Sequence, residues 1–247
     1  MDIKYNDVAL HFDKTALPPE VEELLAHGKV ALADLGSGDG PWFAVLARRG
    51  LIGPSTPTYA VDLEAERLAR ISRRFPWITV IQAAADHVDA LPAGTLNVVL
   101  STMVMEHVPD EAAYLREIER LLAPGGHAYI TTVYKRTWAW YFRYRNGESV
   151  LDTSHLREYT DVNAFRELIR CSCGLHIVSV SLRQMWFPLL DPIFHRICHH
   201  INIPSWLLRA LRAIKVPVPG YFDMHVILSK PSQAIGERNA PTERMHR

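Results

Sequence analysis

Only three cysteines occur in the 247 residues, Cys171, Cys173 and Cys198, and they form no disulfide framework. Such usage fits a reducing compartment. Charge of one sign is missing too: Lys and Arg number 27, as do Asp and Glu, so no global field draws nucleic acid in or turns an acidic substrate away. Any basic patch must therefore be local. No apolar run of spanning length is present, and residues 1–14, MDIKYNDVALHFDK, carry charges throughout with no apolar core of signal-peptide size. The setting expected is cytoplasmic, with no nucleic-acid partner. What remains is an ordinary globular complement, 48% apolar and 22% charged, in a length that suits one large α/β domain with a small appended element.

The chain is organised around residues 30–40, VALADLGSGDG. Small and branched apolar residues with Asp34 lead into Gly36, Gly38 and Gly40, which reads as a buried strand running into a glycine turn, and residues 42–49 have the pattern of a helix. Glycine lets a ligand approach the backbone where any Cβ would hold it off. The spacing is G-x-G-x-G, and not the G-x-G-x-x-G of a dinucleotide site; Asp34 two residues before the turn and Asp39 inside it suit a cationic ligand and would repel a pyrophosphate. On these residues the sequence resembles the first motif of the class I S-adenosylmethionine-dependent methyltransferases, in which the acidic residue faces the methionine end of the cofactor.

Further along, residues 58–61 read as a second strand ending in Asp62, where a carboxylate can accept both hydroxyl hydrogens of a ribose, or simply cap the helix that follows. Residues 78–83 read as a third strand. The resemblance places an adenine-facing Asp in the loop after it; Asp86 precedes Leu91-Pro92, and Asp89 competes for the role. Residues 96–100 read as the fourth strand, with 101–109, STMVMEHVP, as the loop at its carboxyl end. Here Asn97 stands where the family usually has Asp, a change expected to alter one capping hydrogen bond. The resemblance implies S-adenosyl-L-methionine as cofactor, lined by Asp34, Gly36, Ser37, Gly38, Gly40, Asp62, Leu63, Asp86, His87, Ser101 and Met103.

Two histidines are candidates for removing a proton. His107 sits in the Glu-His-Val-Pro-Asp stretch, and serves either as a general base or as a loop anchor. His155 belongs to an Asp-x-x-His pattern with Asp152, which in related enzymes faces the substrate. Cys171, Cys173, His176, His195, Cys198, His199 and His200 lack the pairing of a zinc site, and methyl transfer to oxygen or nitrogen needs no metal; none is expected.

After the amphipathic helix over residues 110–122, Pro124-Gly125-Gly126 delivers a fifth strand, residues 127–133. Residues 135–144, KRTWAWYFRY, interleave cations with aromatics and read as an active-site lid. Residues 175–182 and 221–228 read as strands six and seven, separated by an insertion at 184–220. On a helical wheel Arg209, Arg212 and Lys215 gather on one side of it, beside an arc of Trp206, Leu207, Ala210, Leu211 and Ile214. A lid, a homodimer face or a peripheral membrane contact fits that pattern. The expected architecture is one α/β domain over residues 1–230, with 1–29 as lead-in and helix and 231–247 as a disordered tail. Its core is a doubly wound, seven-stranded, mostly parallel sheet of Rossmann-like methyltransferase type. The expected reaction is O-, N- or C-methylation of a small, amphipathic or lipid-like acceptor; the alternative is a methyltransferase-like scaffold that binds without turnover.

Overall fold

A computed structural model describes residues 2–3, 17–26, 30–189, 203–204 and 213–232. In chain order the elements are β1 (Asp2–Ile3), α1 (Pro19–Ala26), β2 (Leu32–Leu35), α2 (Pro41–Arg48), β3 (Thr58–Asp62), α3 (Ala65–Arg74), β4 (Thr79–Gln82) and β5 (Leu96–Thr102). They continue with α4 (Glu111–Leu121), β6 (Leu122–Lys135), β7 (Arg143–Arg145), β8 (Glu148–Val150), α5 (Val162–Ser172), β9 (His176–Pro188), β10 (Ile203–Pro204) and β11 (Lys215–Ser229).

Seven strands form one sheet in the order β4-β3-β2-β5-β6-β11-β9. The first five neighbours run parallel, while β11 is antiparallel to both β6 and β9. From β2 the chain winds outward through β3 and β4, then returns to start β5 on the other side of β2. That reversal opens a crevice at the carboxyl ends of β2 and β5, where ligands of open α/β sheets bind.

Each helix is placed by a short apolar stripe. In α2 Trp42, Phe43 and Leu46 are buried, in α3 Leu68 and Ile71, in α4 Tyr114, Leu115, Ile118 and Leu121, and in α5 Phe165 and Ile169. Asp110 and Asp161 begin the last two by accepting backbone N–H groups with their carboxylates. Helices α1, α2 and α3 cover one face of the sheet and α4 and α5 the other, giving two apolar layers that meet only through the strands. Asn97 Oδ1 accepts the Ala31 N–H at 2.9 Å, so the amide fills the backbone-capping role and ties β5 to the entry of β2.

Several boundaries differ from the sequence reading, among them β6, which starts at Leu122 ahead of Pro124-Gly125-Gly126 and runs to Lys135. Strand β5 runs on through Ser101 and Thr102, which are therefore sheet residues. The arms β9 and β11 extend well into the expected insertion, pairing Phe187 with Val216 and Pro188 with Lys215. Lys215 thus starts a strand and not a helical face: the run Lys-Val-Pro-Val-Pro alternates branched residues with prolines, which suit an edge ribbon and break a helix. Residues 205–212 of the expected helix, the cysteine and histidine cluster around Cys198, and the tail from 233 onward lie outside the described residues, whereas Ile214 lies in the turn before β11 and is exposed. Among those described, no helix is long and apolar enough to cross a membrane.

Candidate cofactor and active site

The glycine turn is built by the neighbouring strand. Val61 of β3 accepts the N–H groups of both Gly36 and Ser37, at 2.8 and 2.9 Å, which bends the chain sharply at the end of β2. A Cβ at Gly36 would lie 2.3 Å from Val104 Cγ2, and its φ of +70° is one that L side chains rarely adopt, so the position accepts only glycine. At Gly38 the same Cβ would meet only the Arg67 guanidinium, at 3.7 Å, so the backbone there is open to a ligand. Gly40 caps α2 in the left-handed conformation.

Carboxylates flank this cradle. Asp34 is 1% exposed at the end of β2. Asp62 accepts Gly38 N–H at 2.8 Å and Glu64 N–H at 2.9 Å, holding the turn and the start of α3 with acceptor capacity to spare. Ser37 Oγ is buried and has no hydrogen-bond partner among the described residues, a donor left for something polar in the cradle. Asp39 is spoken for by Arg70, at 2.6 Å. Leu63 follows Asp62 and stands exposed, an apolar face at the crevice.

The loop after β4 turns tightly between Ala84 and His87 and leaves Asp86 half-buried, whereas Asp89 is exposed and pairs with the equally exposed His87 at 3.0 Å. Two residues that the sequence reading passed over set this loop. Glu117 accepts the Val88 N–H, and Arg120 donates to the carbonyls of Val88 and Leu91 while bonding Glu117. Burial raises the Glu117 carboxyl, but the Arg120 and Val88 hydrogen bonds outweigh it and hold the group ionised. Ser101 lies deep in β5 with its hydroxyl committed to Leu35 O at 2.9 Å, so its contribution is to brace β2 against β5. Met103 has a φ of +59° and packs beside the cluster of Val133, Leu151, Met185, Val218 and Tyr221.

Beyond β5, the loop that carries Glu106 and His107 is clamped by the stretch His155-Leu156-Arg157-Glu158-Tyr159. Leu156 N–H donates to Glu106 O at 2.8 Å, Arg157 donates to the carbonyls of Met105, Val108 and Pro109, and Tyr159 bridges Val133 and Lys135 through its backbone. His155 is 4% exposed, and its Nδ1 lies 2.9 Å from Glu158 Oε1. The contact with the carboxylate orients the ring. Lys135 Nζ stands 3.5 Å from the other Glu158 oxygen. His107 meets His155 edge to face, ring centres 4.9 Å apart, and its Nδ1 lies 3.3 Å from Ser154 O. Burial, then the charge of His155, lowers the proton affinity of His107.

Glu106 is the centre of this group. Its Oε2 accepts the Thr132 hydroxyl at 2.8 Å, and Oε1 has no hydrogen-bond partner among the described residues. Burial pushes its pKa up to about 7, against its own backbone N–H, His155 and Thr132, which favour the anion. Ligand atoms of Glu106, His107 and His155 all lie within 4.8 Å of one another, close enough to hold a divalent ion. Asp152, by contrast, folds back on Ser154 and pairs with Arg143 at 3.1 Å. The signal for Glu106 was its place in Glu-His-Val-Pro-Asp; nothing in the sequence marked Glu158 or Arg157.

A family described as a methyltransferase domain matches residues 10–187. Among curated proteins, the ubiquinone biosynthesis O-methyltransferase of Proteus mirabilis (strain HI4320) is 30% identical over 125 residues, 51% of this chain and 50% of its own. The chain spans about half the length of the curated relatives it matches. Solved structures resemble it more widely and more weakly. The 1,6-didemethyltoxoflavin-N1-methyltransferase of Burkholderia thailandensis, which holds S-adenosylhomocysteine, superposes with a TM-score of 0.54 at 19% identity, over 89% of this chain and 80% of that one. The [4+2]-cyclase SpnF superposes with 0.58 at 16%, over 86% and 80%. Those two likenesses are of fold alone. The family match takes in the glycine turn, all the parallel strands and the Glu106–His107–His155 group, and on it the chain belongs to the methyltransferase domain family.

Proposed function

We propose that the chain transfers a methyl group from S-adenosyl-L-methionine to a small amphipathic acceptor, at oxygen, nitrogen or carbon. The observation that carries this reading is the cradle: an open backbone at Gly38, a buried Asp34 beside it, an unpaired Ser37 hydroxyl, and Asp62 at the end of the next strand. A buried carboxylate suits the cationic ammonium of the methionine end, Ser37 suits its carboxylate, and the free lone pairs of Asp62 suit two ribose hydroxyls. Asp86 and Leu63 stand where an adenine would lie. Bound there, the cofactor supplies a methyl already activated by its positive sulfur, and the chain supplies alignment, exclusion of water and removal of one proton.

In this reading His155 takes that proton. Glu158 orients its ring, and the exposed His107 beside it offers a route for the proton to water. The apolar cluster of Val133, Leu151, Met185, Val218 and Tyr221, with Met103 and Tyr141 packed against it, favours an acceptor with a greasy body and one polar end.

A second reading keeps the fold and binds the cofactor without turnover. Incubation with methyl-labelled cofactor and an extract of amphipathic metabolites, followed by mass analysis of labelled products, separates the two. Label transfer that falls in His155→Ala while cofactor affinity holds supports the reading; no labelled product from any fraction, with the cofactor bound, leaves the scaffold.

A further inference from the structure

A buried carboxylate oxygen without a partner destabilises a fold unless something outside the chain satisfies it. Glu106 is 0% exposed, and its Oε1 has no hydrogen-bond partner among the described residues. Two imidazoles converge on the same carboxylate. One nitrogen of His107, one of His155 and an oxygen of Glu106 all lie within 4.8 Å of one another, and the two rings meet edge to face with centres 4.9 Å apart. His155 is buried and His107 exposed, so the group is closed at one end and open to solvent at the other. An ion has a way in.

Each of the three side chains is anchored by a second contact. The Thr132 hydroxyl donates to Glu106 Oε2 at 2.8 Å, Glu158 Oε1 lies 2.9 Å from His155 Nδ1, and Ser154 O lies 3.3 Å from His107 Nδ1. A carboxylate or a backbone carbonyl beside one ring nitrogen is how metal-ligating histidines are held, the other nitrogen being the ligand. The two segments are also locked together through the backbone, where Leu156 N–H donates to Glu106 O at 2.8 Å. From this we infer that Glu106 Oε1, with Nε2 of His107 and of His155, binds a divalent transition ion of the zinc type and leaves a coordination position open.

The donor set selects the ion. Two imidazoles and a carboxylate suit zinc and its neighbours, whereas magnesium and calcium want oxygen throughout. Three protein ligands also leave room for a water or a substrate atom in the remaining place. Tetrahedral ligands at about 2.1 Å from an ion stand about 3.4 Å apart, so the widest pair here has about an ångström or so to close. The exposed His107, on its longer contact with Ser154, can make that movement. A water molecule would satisfy Glu106 Oε1, but would not account for two ring nitrogens brought to the same carboxylate. Sequence spacing concealed the site, because its ligands come from stretches about fifty residues apart. The inference goes beyond the proposed reaction, since binding of an ion is read without cofactor or acceptor. If both hold, an acceptor oxygen in the open position loses its proton more readily, and the ion takes over the task given to His155.

The test uses the full chain, stripped of metal with a chelator and without cofactor or acceptor, so that its failure leaves the proposed reaction standing. Zinc is titrated by calorimetry, and cobalt serves as a spectroscopic stand-in. The expected result is uptake of a single zinc ion per chain with a rise in melting temperature, and visible cobalt bands of a low-coordinate site with nitrogen and oxygen ligands. His107→Ala changes an exposed side chain, and Glu106→Gln keeps the acceptor for the Thr132 hydroxyl. Each should weaken zinc by at least about a hundredfold, beyond the loss typical of a supporting residue, while the stripped variant still melts cooperatively. Should Glu106→Gln fail to fold, His107→Ala decides alone. No zinc uptake by the stripped chain overturns the inference. So does zinc held with undiminished affinity by the folded variants, which would put the ion on cysteines or histidines elsewhere in the chain.

Discussion

Glu106 should make the protein less stable as it ionises, and Glu106→Gln should remove that dependence. The folded chain holds this proton more tightly than the unfolded chain does, because burial lifts the carboxyl from 4.5 to about 7. The sign follows. The proton favours folding in full below about pH 4.5, its contribution falls as the pH rises towards 7, and above that a buried anion is carried as a constant penalty. At about 1.4 kcal/mol for each tenfold difference in proton affinity, the swing is about 3 kcal/mol. Gln keeps the acceptor for the Thr132 hydroxyl and cannot ionise. Unfolding in urea should therefore show the difference between the two proteins growing by about 3 kcal/mol in favour of the variant between about pH 4.5 and 8. For a chain of this size that is roughly 6 to 12 °C in melting temperature. Parallel stability curves across that range would refute the assignment of a buried, proton-holding Glu106.

Asp62→Ala should weaken S-adenosylmethionine by about 2 to 3 kcal/mol, some thirty- to a hundred-fold in titration calorimetry, and undiminished affinity in a folded variant would sink the ribose role. Gly36→Ala should cost about 2 to 4 kcal/mol of stability, from left-handed backbone and from contact with Val104; adding Val104→Ala should return only the steric part, and full recovery would show the backbone unstrained. Glu158→Gln should lower turnover more than cofactor affinity and shift the pH profile of turnover, because the partner of His155 loses its charge. An unmoved profile would make Glu158 a scaffold residue.

The glycine turn, Asp62 and the alternation of strand and helix were legible because each is written in neighbouring residues. Local pattern specifies local backbone, and a turn followed by an apolar helix admits few alternatives. The active-site group was legible only in part. His107 and His155 could be named as residue types suited to proton transfer, yet what brings them together is the clamp formed by Leu156 and Arg157 on a loop about fifty residues earlier. No periodicity records a contact of that span. Ser101 was misplaced into a loop because a strand buried on both faces runs on into polar residues when their hydroxyls find partners inside the sheet, as Ser101 does at Leu35. Lys215 was misplaced because the cations at 209, 212 and 215 keep helical spacing, while the prolines at 217 and 219 settle the matter only when read backward into the run.

The position of β11 also decides when the protein can be finished. This strand lies between β6 and β9, and every residue from Tyr221 to Ser229 pairs with β6 while most pair with β9 as well. On a ribosome the chain therefore presents two open strand edges, β6 and β9, until the residues after Lys215 emerge, and β9 has no partner in the sheet before then. Such edges are templates for wrong pairing. The last strand enters as a wedge in an existing gap, so a nascent or truncated chain that stops short of it would hold the glycine turn in place and still expose two unmatched edges for a chaperone to cover.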